Sequence, residues 1–161
     1  MKRTNESGRS MVEMLGVLAI IGVLSIGGIA GYTMAMNRYR ANEVLDIAAK
    51  YAVTVYSGFM TQTTMGHSLA YTIPALSATG LTGTASTVQG CSMVATLVNA
   101  SGTDVTPTAS MAASDVQAVN GVKIAFTCDN SDIAKAAASS VGTTATAGEG
   151  SSTFSYIFRQ S

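Results

Sequence analysis

A single histidine, His67, leaves no means of building a multi-histidine metal site or a histidine-centred triad. It falls in a Thr-rich loop, where a solvated surface position is its expected role. Charge is scarce too: 11% of the 161 residues ionise, less than half of the usual quarter. Nine bases balance nine acids with no basic stripe, so a nucleic-acid partner has no electrostatic support. The serines have no base beside them and no Gly-x-Ser-x-Gly elbow. Oxygens cluster at Asp129, Asn130, Ser131 and Asp132, but EF-hand spacing is absent and helix capping accounts for them. No catalytic residue, metal or cofactor is expected, and the chain reads as a non-enzyme.

Proline is nearly missing as well, and the first is Pro74. Nothing ahead of it interrupts a helix. The longest absence is of charge. From Met14 to Asn37 no residue ionises, a run of 24 that suffices to cross a bilayer as a helix. Glu13 stands at the lip of this run, and an acid there is costly in lipid unless it has a partner and a purpose. A secretory signal peptide is excluded, because the apolar stretch is too long and no A-x-A site closes it.

What is present before the run is a polar leader, MKRTNESG, ending at Gly8. Gly8, Glu13 and the following MLGVLAIIGVL (Met14–Leu24) together resemble the type IV pilins and the wider type IV filament superfamily. In that family a prepilin peptidase cuts after the leader glycine and the fifth mature residue is Glu, which places the cut between Gly8 and Arg9. The resemblance implies a precursor in the inner membrane that is trimmed and then polymerised by the inner-membrane assembly machinery. The product is a helical surface filament, a homo-oligomer. It also implies that Glu13 neutralises the freed amine of Arg9 on a neighbouring subunit and so sets the axial register. Arg9 departs from the pattern, since the family usually has an N-methylated Phe or Met there. A pseudopilin of a type II secretion system has a similar opening motif. A single-pass membrane-anchored binding protein is the reading from another class, and it would need neither Gly8 nor Glu13.

Glycines punctuate the span at Gly16, Gly22, Gly27, Gly28 and Gly31. Gly27 and Gly31 have small-xxx-small spacing, which lets helices approach closely. Gly27–Gly28 also lowers helix stability, by roughly 1 kcal/mol per residue relative to alanine. Many pilins carry a proline in this part of the helix, and the glycine pair is expected to loosen it in its place.

Beyond the span, Val44, Ala48, Tyr51, Val55 and Phe59 recur at helical spacing, with Glu43, Asp46, Lys50 and Thr54 on the other side. One helix from about Ser10 to Gly58 is predicted, apolar all round in its first half and amphipathic in its second. The domain reading is a leader at 1–8, a transmembrane or filament-core helix at 9–37, its amphipathic continuation at 38–58 and a globular head at 59–161. Turn signals fill 58–90. Strands are predicted at Ser92–Val98, Val122–Cys128 and Thr153–Phe158. A short helix or a turn is predicted near Met111–Val119, a short helix at Asp132–Val141 and a flexible loop at Gly142–Ser152. Met34, Met36, Met60 and Met65 read as adaptable packing. Cys91 and Cys128 lie beyond the membrane segment, where an isolated pair is most simply one disulfide, with two buried free thiols as the alternative. The expected fold class is α+β: a long N-terminal helix packed on a small antiparallel sheet, the pilin-like lollipop.

Overall fold

One helix, α1 (Glu6–Thr64), opens the structure, a computed structural model that describes residues 6–64, 71–108, 111–148 and 150–159. Side chains are described for these residues except 6–10, 63, 64 and 113, so Lys2, Arg3, Met65 and His67, and the side chain of Arg9, lie outside the described set. The chain divides into two units, Met1–Met36 and Asn37–Ser161. In the first, the large apolar side chains from Met11 to Met34 are each more than half exposed. This stretch is long and apolar enough to cross a membrane, and 18 consecutive residues of it have a mean hydropathy of 2.2.

In the second unit α1 packs on an antiparallel sheet, giving the expected α+β class. Val44, Ala48, Tyr51, Val55 and Phe59 are all buried, so the predicted stripe is the core stripe. The helix does not stop at Gly58. It continues to Thr64 because Phe59 still belongs to the buried stripe and no proline ends it. Gly58 has a different use: a Cβ there would lie 2.8 Å from the Tyr71 hydroxyl. The glycine is a notch that admits the Tyr71 ring. Tyr71 packs edge-on against Phe59 at 5.8 Å and donates to the Val55 carbonyl at 2.9 Å, while Tyr51 donates to the Pro74 carbonyl at 2.7 Å. These two phenols fasten the segment after residue 70 to the helix.

Two expected results follow from this clasp. Gly58→Ala gains about 1 kcal/mol of helix propensity but displaces the phenol and strands a buried donor, at about 1–3 kcal/mol. Added overpacking makes a net loss of about 2 kcal/mol the expected outcome, read as a lower midpoint in thermal unfolding. The second concerns alkali. Burial, and then the neighbouring Tyr51, hold the Tyr71 phenol above its ordinary value of 10.0. The folded value is the raised one, so its contribution is complete below the unfolded value and is lost as pH rises through the folded one. Melting temperatures should therefore fall above about pH 10, and Tyr71→Phe should flatten that fall.

The sheet has the order β1–β2–β4–β6–β5, all antiparallel, with β3 pairing the far end of β2. Its long strands are β2 (Cys91–Asn99), β4 (Val119–Cys128) and β6 (Ser151–Arg159), which contain the three predicted strands. Val122, Ile124 and Phe126 face the core as expected, and Phe126 stacks on Phe154 at 4.3 Å. Three short strands went unpredicted: β1 (Thr87–Val88), β3 (Asp104–Val105) and β5 (Thr146–Gly148). The expected flexible loop at Gly142–Ser152 is thus corrected, because Thr146–Gly148 pairs with Ser151–Thr153. Two or three residues show no alternation of their own, and only the partner strand defines them. Gln89 and Gly90, both with positive φ, close the tight β1–β2 hairpin. Two short helices complete the unit. They are α2 (Ala113–Ala118) and α3 (Ser131–Ser140), whose first N–H groups are capped by the Asn130 side chain.

Candidate functional site

The span of α1 holds the residues that the sequence singled out. The Gly8–Arg9 bond falls within α1. Glu13 is exposed, and the ion pairs among the described residues, Lys50–Asp46 and Lys123–Asp104, do not include it. The aliphatic hydroxyls of the span are satisfied inside it: Ser25 donates to the Ile21 carbonyl at 2.8 Å and Thr33 to the Ala30 carbonyl at 2.9 Å. Glu13 is therefore left without an ion-pair partner among the described residues.

The glycines share that property. A Cβ added at Gly16, Gly22, Gly27, Gly28 or Gly31 meets nothing within 4 Å. At Gly121, by contrast, it would meet the Phe158 carbonyl oxygen at 2.5 Å, a reason internal to the sheet. These five glycines cost helix stability and meet no described residue. At 3.6 residues per turn, Glu13, Gly16, Gly27 and Gly31 fall within about 60° of one another, while Gly22 faces the opposite side. Sequence spacing had grouped Gly27 with Gly31, but not with Gly16 and Glu13.

The cysteines form the expected disulfide. Cys91 and Cys128 face each other directly in the β2–β4 ladder and are fully buried. The bond therefore ties the first long strand to the second from inside the core, and does not close a loop at the surface.

Two shallow depressions mark the head. The larger, about 590 Å³, lies on the outer sheet face among Thr127, Thr143, Thr144, Thr146, Thr153 and Ser155, and none of its lining residues ionises. Register places Thr87, Ser92, Thr127, Thr153 and Thr146 in one row across five strands, a hydroxyl band that sequence reasoning missed because its members are far apart in the chain. The second, about 390 Å³, includes Asn99, Asp104 and Asp115. There Lys123 neutralises Asp104, and the Asn99 side-chain oxygen accepts from the Thr103 N–H at 2.9 Å and the Ser101 hydroxyl at 2.7 Å. Among the described residues no three His, Cys, Asp or Glu side chains gather as metal ligands.

No family model matches the chain, and neither the curated proteins nor the solved structures contain a match. The arrangement itself, a long apolar N-terminal helix and an antiparallel sheet carrying one disulfide, is compatible with a pilin-like fold.

Proposed function

We propose that this chain is a structural subunit of a type IV pilus-like filament, inserted in the inner membrane, cut after Gly8 and polymerised through α1. One observation carries the reading: an uncharged, exposed helical span bears a single acid, Glu13, five residues beyond a leader glycine. A new amine at Arg9 supplies a cation for Glu13, which has no ion-pair partner among the described residues. A pair of this kind, closed between neighbouring subunits in an apolar core, fixes register more than it adds stability. The glycines on the Glu13 side of the helix admit the backbone of a neighbour at close range. The low-charge head carries little repulsion between copies.

Intact-mass measurement on protein sheared from the cell surface tests the proposal. The expected species lacks residues 1–8 and retains the Cys91–Cys128 bond, with any N-methyl group on Arg9 seen in the same spectrum. Full-length chain in the surface fraction would overturn the reading and favour a plain membrane-anchored binding protein.

A further inference from the structure

The sheet is closed on one side and open on the other. On the β2 side, β1 and β3 cover the two ends, and the Tyr51 phenol lies at the Ala95 backbone between them. On the β6 side, β5 pairs only with Ser151, Ser152 and Thr153. The Asp129 N–H donates to the Gly90 carbonyl at 3.0 Å, which fixes the β4 residues that bond to β2. Alternation along antiparallel ladders then turns the main-chain groups of Cys128, Phe126, Ile124 and Val122 toward β6. Their register partners Ser152, Phe154, Tyr156 and Phe158 point back at β4. Thr153, Ser155, Ile157 and Arg159 therefore point away from the sheet. Thr153 is taken by Thr146 of β5, whereas the main-chain N–H and C=O of Ser155, Ile157 and Arg159 bond to no described residue.

This edge carries one charge, Arg159 at its end, whose guanidinium donates to the Ala100 carbonyl at 2.9 Å, and otherwise few of the devices that usually blunt one. It has no proline, no lysine and no bulge, and its residues Phe154–Phe158 are uncharged. Its rim is apolar and half-covered: Tyr156, Ile157 and Phe158 are partly exposed, with Tyr156 and Phe158 in edge-to-face contact at 5.0 Å.

We propose that two copies of this chain pair through their β6 edges, antiparallel about a two-fold axis at Ile157, so that both sheets become one. The strand is complementary to itself in this register. Ile157 meets Ile157 of the second copy on the outer face. Tyr156 meets Phe158 on the inner face, an aromatic cross-strand pair. Ser155 meets Arg159, so no like charges oppose. The outward-facing residues are the ones that become mutually bonded, and β5 bounds the pairing at Thr153. A chain of zero net charge adds no long-range repulsion to the encounter. The argument rests on the head alone and stands apart from the filament reading. A filament's screw axis does not generate this two-fold, so in a filament the contact joins one filament to another.

The test is cysteine cross-linking of the full chain in detergent. Ile157→Cys should form a disulfide-linked dimer under mild oxidation. Val94→Cys, 63% exposed on the same outer face but away from the edge, controls for association through α1. The expected dimer yield is at least about tenfold higher for Ile157→Cys, an amount that corresponds to one or two net hydrogen bonds with their packing. Adding Ser155→Pro removes an N–H that has no partner among the described residues, which an edge strand tolerates. It should return the yield to the Val94→Cys level, with the Cys91–Cys128 bond intact by mass. Equal yields from the two cysteines, a dimer that survives Ser155→Pro, or cross-links only to a different polypeptide would each overturn the proposal.

Discussion

Glu13→Ala should abolish surface filaments while leaving the head as stable as before. The residue makes no ion pair among the described residues, and the segment that carries it forms a unit separate from the head. Its removal therefore has no route to the fold. In the proposed filament the same change would leave the Arg9 amine uncompensated in an apolar core, at about 3–5 kcal/mol for a pair broken from one side. At tenfold per 1.4 kcal/mol, each subunit contact weakens by at least about a hundredfold. The penalty repeats at every subunit, so a long polymer is lost outright. Electron microscopy of the cell surface together with immunoblots of the sheared fraction measures this, and the melting temperature of the purified chain serves as the control. Filaments of normal number and length from Glu13→Ala would contradict the assigned role. Glu13→Gln, which keeps size and loses charge, should behave like Ala if charge is the cause.

Removal of the disulfide should have the largest effect on the head itself. The double change Cys91→Ala and Cys128→Ala opens a loop closed over a sequence separation of 37. On the chain-entropy account this is worth about 4 kcal/mol. For a head of this size, that corresponds to a fall of about 15 °C in melting temperature. Geometry favours retention of the native ladder in the mutant. The cysteines oppose each other at a pair whose main-chain groups turn away, Cys91 toward β1 and Cys128 toward β6. Such pairs bring side chains closest without using the hydrogen bonds between the strands. The sheet should therefore persist at low temperature with unchanged far-ultraviolet dichroism and simply melt earlier. A fall of less than about 5 °C would show that the ladder alone holds β2 to β4.

The clearest features in the sequence were those with a period of their own. The stripe Val44, Ala48, Tyr51, Val55 and Phe59 was legible because burial on one side of a helix repeats every three to four residues. Val122, Ile124 and Phe126 were legible because a strand alternates. The α3 helix announced itself through Asn130, whose side chain caps the next N–H groups wherever the rest of the chain lies. Glu13 and the run behind it were legible for a simpler reason: a charge beside 24 uncharged residues needs no neighbour to be conspicuous. Gly58 misled because a glycine in a helix signals its end unless something distant needs the space, and Tyr71 is thirteen residues away.

Composition and local pattern thus determined the span, its acid, the core stripe of the helix and the three long strands, since each depends on residues within one or two turns of chain. Tertiary structure alone decided that β4 lies at the centre of the sheet and that three short strands exist at all. It alone set five hydroxyls in one row and left the far half of β6 open. Those outcomes depend on which segment lies beside which, and register between strands is a property of pairs that no single stretch of sequence contains.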